Sequence, residues 1–130
     1  MTSTLIIDAS AMVELLLGTK LGASVATQIR GKELHAPAHF DAEVLSALGR
    51  LQRAGSLTGE QATARVESLA TVPVERHLLP PLLSGAYDRR HNLRLVDALY
   101  VELADQIEAT LVTTDGGLAA AAPLAQLASE

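Results

Sequence analysis

The chain has 130 residues, 48% of them hydrophobic, 19% charged and 2% aromatic, with no Cys and a formal net charge of -5. A chain of that length buries a sizeable core without staples, and the absence of Cys excludes disulfide frameworks, thiolate zinc sites and Cys nucleophiles while fitting a reducing compartment. The acidic balance argues against a protein that grips nucleic acid through a basic surface. The start, MTSTLIID, has no basic n-region and its apolar run stops at Asp8, and nowhere does the chain approach about 18 uninterrupted apolar residues. A cytoplasmic protein with no signal peptide and no membrane span is expected.

In chain order, Leu5 to Ile7 reads as a short strand buried on both faces and ending at Asp8. Ser10 is the expected N-cap of a helix through Val13, Leu16 and Leu17 that Gly18 breaks, and a second helix carries Leu21, Val25 and Ile29 up to Gly31. Leu34 to Ala36 is a second strand stopped by Pro37. A long helix from about Ala38 to Ala54 follows, with Phe40, Val44, Leu48 and Leu51 on one face and Gly55 at its end. Thr58 and Gln61 form a capping-box pattern for a helix through Val66 and Leu69. Val72 to Val74 is a strand interrupted by Pro73, and Pro80-Pro81 opens a helix through Leu82, Leu83 and Tyr87. Asn92 is the expected cap of a helix whose broad stripe is Leu95, Val96, Leu99, Tyr100, Leu103 and Ile107. Leu111 to Thr113 is a strand reaching Asp115 and the Gly116-Gly117 break, followed by a short Ala-rich helix and a tail or edge strand around 124–127. Strands separated by helices imply a parallel sheet covered on both faces, a three-layer α/β class.

Binding sites in such sheets form outside the carboxyl ends of the strands, where Asp8 and Asp115 both fall. Asp97 sits on the flank of an apolar helix stripe, where a carboxylate needs a partner. Asp41 and Glu43 both lie near the first turn of the long helix, and periodicity does not choose between them. If these groups converge, oxygen-only ligation selects a hard cation, Mg²⁺ or Mn²⁺. Such ions lower the pKa of a bound water and neutralise charge on a phosphodiester under in-line attack. Without a cation or basic partner, mutual repulsion raises carboxylate pKa values. The spacings of His35, His39 and His77 fit no metal-ligand pattern, and the three are expected to be exposed or hydrogen-bonded.

The quartet Asp8, Glu43, Asp97 and Asp115, on strand end, helix, helix and strand end, resembles the PIN-domain ribonucleases and, more narrowly, the VapC-type toxins of bacterial toxin-antitoxin pairs. The stretches that carry the resemblance are LIIDASAMVELLLG, APAHFDAEVLSALGRL and HNLRLVDALYVELADQIEATLVTTD, with LTGEQA and PVERHLLPPL between them, covering nearly the whole chain. It implies a single PIN domain over 1–130, an α/β/α fold with a short, mostly parallel sheet of four or five strands. It also implies a metal-dependent endoribonuclease, with Asp8, Glu43, Asp97 and Asp115 as catalytic acids and ligands of one or two Mg²⁺ or Mn²⁺ ions. The family motif places its Glu at Glu43, and Thr113 and Ser10 match its supporting hydroxyls. Gly116 and Gly117 stand where relatives often carry a basic residue. The resemblance further implies a growth-inhibiting toxin that cleaves RNA, forms a homodimer and is neutralised by a VapB-type antitoxin, which the apolar surplus between Ala11 and Ile29 would accommodate.

Arg89, Arg90 and Arg94 precede the Asp97 helix and are the candidate RNA contacts at the rim of the pocket. With so few aromatics, substrate recognition through several stacked bases is not expected. One rival, a phosphoacceptor receiver domain, needs adjacent acids after the first strand and a Lys near the last, whereas Ala9 follows Asp8 and the lysines are Lys20 and Lys32. The other rival is a non-catalytic PIN-like binding module. Four of the 15 acids are the proposed ligands, so the rest of the chain nearly balances its 10 Lys and Arg, and the acidity belongs mostly to the site.

Overall fold

Leu5, Ile6 and Ile7 are all buried: their strand, β1 (Thr4–Ile7), lies inside the sheet with a parallel neighbour on each side, and packed helices cover the faces to which its side chains point. The computed structural model describes residues 3–121 and 125–128. After β1 the elements are α1 (Ala9–Leu17), α2 (Lys20–Ile29), β2 (Glu33–Pro37), α3 (Phe40–Arg53), α4 (Gly59–Thr71), β3 (Val74–His77), α5 (Pro80–Asp88), α6 (Leu95–Gln106), β4 (Thr110–Thr113), α7 (Gly116–Ala121) and β5 (Ala125–Leu127). The described strands form one sheet in the order β3-β2-β1-β4-β5, and every pairing is parallel. The sheet is therefore parallel throughout rather than mostly so. Helices α1 to α4 pack on one another, while α5 packs on α6 and α6 crosses β1, β2 and β4. This is the expected three-layer arrangement. No single described helix is long and apolar enough to cross a membrane.

Strand order reverses between β1 and β4, since β2 and β3 extend the sheet one way and β4 and β5 the other. At such a point the segments leaving neighbouring strands diverge and open a crevice at their carboxyl ends. Asp8 and Asp115 follow those two strands.

Several element boundaries differ from the sequence reading, each for a local reason. The cap of α1 is Asp8, not Ser10: the helix begins directly after the strand, and the Asp8 side chain accepts from Ala11 N. The third strand starts at Val74 instead of Val72, because Val72 caps α4 and Pro73 has no N–H to donate to a ladder. Asn92 does not cap α6; its N–H closes a turn onto Arg89 O, and Arg94 occupies the cap with no side-chain bond. The Gly116-Gly117 pair, read as a break, opens α7, with Asp115 Oδ1 accepting from Gly117 N and Leu118 N. The capping box of α4 forms as expected, Thr58 and Gln61 exchanging both bonds. Of the expected edge strand, 125–127 pairs with β4 as β5, and position 124 lies outside the described residues.

Gly18 ends α1 in the left-handed region at φ 67° and lets α2 fold back on α1. The two helices then approach so closely at Gly22 that a Cβ there would lie 2.1 Å from Glu14 O. Much of the apolar surplus of this segment is used in that packing: Met12 and Val25 are fully buried, and Leu15, Leu16, Leu17, Leu21 and Ile29 pack partly buried on the core. Gly22→Ala is expected to destabilise the protein by at least about 2 kcal/mol in urea unfolding, since backbone must move. Gly49→Ala, where a Cβ meets only the end of the Arg53 side chain at 3.6 Å, should stabilise α3 by about 0.5–1 kcal/mol.

Candidate active site

The four predicted carboxylates meet in one open cleft of about 350 Å³, lined by Asp8, Glu43, Asp97 and Asp115 together with Ser10, Glu14, Arg50, Arg94, Tyr100 and Thr114. Asp8 is its buried floor, 4% exposed. Ser10 Oγ and Ala11 N donate to its Oδ1 at 2.8 and 2.9 Å, and Thr113 Oγ1 donates to its Oδ2. Ser10 Oγ also accepts from Thr114 N at 3.1 Å, and Thr113 Oγ1 accepts from Asp115 N at 3.0 Å. The two hydroxyls thus stitch the end of β1 to the end of β4 and fix Asp8 relative to Asp115.

The other two acids come from α3 and α6. The Tyr100 hydroxyl donates to Glu43 Oε1 at 2.6 Å, and His39 Nε2 lies 3.4 Å from the same oxygen. His39 Nε2 also lies 2.9 Å from Val96 O, which joins the first turn of α3 to the first turn of α6 and sets Glu43 opposite Asp97. The Glu43 or Asp41 ambiguity resolves physically: Asp41 is held in a two-bond pair by Arg76 Nε and Nη2, at 3.1 and 2.9 Å, and does not line the cleft. Asp97 receives Arg94 Nε and Nη2 at 2.9 and 3.2 Å.

Burial pushes the Asp8 carboxyl up from 3.8 to about 6, with the Asp115 charge adding a smaller push, against the lowering effect of the bonds from Thr113, Ala11 and Ser10. Burial, together with its bond to Glu43, keeps the Tyr100 hydroxyl protonated far above its ordinary range, so it stays a donor. A buried carboxylate facing other carboxylates, with neutral donors as its own partners, is a group that a cation would stabilise. The all-oxygen set suits a hard divalent ion.

A PIN-domain family model matches residues 5–123. The chain is 56% identical over 121 residues to Ribonuclease VapC3 of Mycobacterium tuberculosis, which covers 92% of this chain and 88% of that protein. The chain belongs to the PIN-domain family, among the VapC-type proteins. The PIN fold is also seen in two solved structures. PAE2754 from Pyrobaculum aerophilum aligns with a TM-score of 0.70 at 24% identity, covering 95% of this chain and 82% of that one. A toxin-antitoxin complex from Klebsiella pneumoniae aligns with a TM-score of 0.68 at 12% identity, covering 97% and 98%.

Of the three arginines expected at the rim of the PIN cleft, Arg94 lines it, whereas Arg89 and Arg90 do not. Arg89 is drawn away by Glu102 and Asp105, at 3.1 and 3.3 Å, and Arg90 stacks over the Tyr87 ring at 4.4 Å. Two residues that the sequence reading passed over do line the cleft. Arg50 follows Glu43 and Ala47 at helical spacing on α3 and is bonded to Ser46 Oγ at 2.8 Å, with no carboxylate partner among the described residues. Glu14, on α1, accepts from the Thr19 hydroxyl.

The raised Asp8 pKa fixes a direction for stability. Between about pH 6 and 3.8 the folded metal-free protein holds a proton that the unfolded chain has released, so the Asp8 contribution grows as pH falls through that window and is lost above it. In EDTA at pH 7, Asp8→Asn should be more stable than wild type by up to about 3 kcal/mol, and the gap should close by about pH 4. Urea unfolding of both proteins across pH checks this, and a gap independent of pH would contradict it.

Proposed function

We propose that this chain is a metal-dependent endoribonuclease, the toxin of a toxin-antitoxin pair, with Asp8, Glu43, Asp97 and Asp115 as its catalytic acids. The observation that carries this reading is the convergence of those four carboxylates on one cleft at the point of strand reversal, with Arg50 and Arg94 beside them. The relative named Ribonuclease VapC3 supports RNA as the substrate.

Asp8, Asp97 and Asp115 would hold Mg²⁺ or Mn²⁺, with Glu43 completing the set. When bound, such an ion supplies a nucleophile at neutral pH and neutralises charge on the phosphodiester. The chain's own groups do the rest. Thr113 and Ser10 aim the Asp8 oxygens, and Asp115 is aimed by the amides at the start of α7. Tyr100 engages Oε1 of Glu43, so Oε2 is the oxygen that would complete the ion's ligand set. Arg94, 73% exposed along its side chain and paired with Asp97, is placed to meet a substrate phosphate, and an ion held by Asp97 would leave that guanidinium available for it. Arg50 meets the phosphate from the α3 side. With no basic residue at Gly116 and Gly117, these two arginines carry the electrostatic grip.

The partners follow from the same reading. A VapB-type antitoxin would neutralise the enzyme, in keeping with the toxin-antitoxin complex that shares the fold. A homodimer would cover the apolar face that α5 and α6 leave exposed, made of Leu83, Tyr87, Leu95 and Val96. That face is more exposed than the segment from Ala11 to Ile29.

Antitoxin-free protein should cleave a susceptible RNA in Mn²⁺ or Mg²⁺ and stop in EDTA, and Asp97→Asn should lower the rate by about 10²-fold or more. Cleavage that persists in EDTA would overturn the mechanism. Arg50→Ala should mainly raise KM for RNA, with circular dichroism confirming that each variant is folded.

A further inference from the structure

A second group of metal-ligating side chains lies on the other half of the sheet, none of it lining the acidic cleft. His35 on β2 stands directly across from Glu75 on the edge strand β3, and His77 follows two residues later on the same face of that strand. His35 Nδ1 lies 2.7 Å from His77 Nε2 and 3.1 Å from Glu75 Oε2, and the three donor atoms all fall within 4.8 Å of one another. His35 is buried, whereas Glu75 is exposed and His77 half-buried.

We propose that His35, His77 and Glu75 form a binding site for a borderline transition-metal ion, Zn²⁺ above all, separate from the oxygen-only cleft. Hydrogen bonds alone serve this geometry poorly. The other ring nitrogen of His35, Nε2, lies 2.9 Å from Glu33 Oε1. With the ring proton given to Glu33, Nδ1 presents a lone pair toward both the Glu75 carboxylate and His77, and one proton on Nδ1 could satisfy only one of them. A cation accepts all three lone pairs together. The Glu33 contact then becomes the carboxylate-histidine-metal arrangement that fixes the tautomer and orientation of a ligating ring. Two imidazoles and one carboxylate match a borderline ion and discriminate against Mg²⁺. Tetrahedral Zn²⁺ sets its ligand atoms about 3.4 Å apart. The rearrangement is therefore a small outward turn of Glu75 and His77, the two residues with room to make it. Three protein ligands leave the fourth position to water, and the bound ion clamps the edge strand β3 to β2. Linear spacing hid the site, because the histidines are 42 residues apart and meet only through parallel pairing.

The test is titration of the full, antitoxin-free chain with Zn²⁺, and with Co²⁺ as a visible probe, in excess Mg²⁺ so that the oxygen sites are filled. One equivalent should bind, with the d–d absorption of a four-coordinate Co²⁺ site. Glu75→Gln and His77→Gln, both at accessible positions, should each weaken binding by at least about tenfold and remove that absorption. Asp97→Asn should leave it unchanged, which separates this site from the catalytic cleft. Unaltered binding in both Glu75→Gln and His77→Gln, loss of binding in Asp97→Asn alone, or no Zn²⁺ binding by wild type would each overturn the proposal and leave His35 in a hydrogen-bonded cluster only.

Discussion

A carboxylate at the end of a buried strand is the constraint on which the site depends. Asp8 caps α1, ends β1 and forms the floor of the cleft, and these tasks need its two oxygens to point in set directions. Ala11 N, Ser10 and Thr113 hold them there, and Thr113 and Ser10 at the same time tie in the backbone that leads to Asp115. The cost is desolvation, visible in the raised pKa of Asp8. A bound divalent cation would offset that cost, so the features that make the metal-free floor unfavourable are also those that would bind the ion.

The remaining acids are placed by contacts between helices rather than by the sheet. His39 bridges to the backbone of α6 and Tyr100 reaches back to Glu43, so the first turns of α3 and α6 face each other across the cleft. Asp41, two positions from Glu43, belongs instead to the ion pair with Arg76 that joins α3 to β3. Two neighbouring acids on one helix therefore have unlike surroundings, a difference that helical periodicity alone does not specify. The charge balance reads the same way. With the cleft acids set aside, the chain is nearly neutral, and the positive side chains at the cleft are Arg50 and Arg94.

Much of this architecture was legible in the sequence. The buried strand at Leu5 to Ile7, the Phe40-Val44-Leu48 face and the capping box at Thr58 follow from apolar spacing and cap chemistry and appear where expected, whereas the stripe expected from Leu95 to Ile107 buries Leu99, Tyr100 and Leu103 but leaves Leu95 and Val96 exposed. What failed was local competition. Asp8 outcompeted Ser10 for the cap, Arg94 displaced Asn92, and Pro73 pushed a strand downstream. What could not be read at all were contacts across the fold: Arg89 captured by Glu102 and Asp105, and His35 brought against His77 by strand pairing. Arg50 lay within reach of the sequence, since it extends the Glu43-Ala47 face by one helical step.

The proposed chemistry needs a cation at the Asp8 floor, and the direct test is to locate it. Crystals of the antitoxin-free chain grown in Mn²⁺ and measured at the manganese absorption edge should show an anomalous peak within ligand distance of Asp8, bordered by Asp97 and Asp115. No peak there, with Asp97 still paired to Arg94 at saturating Mn²⁺, would contradict it.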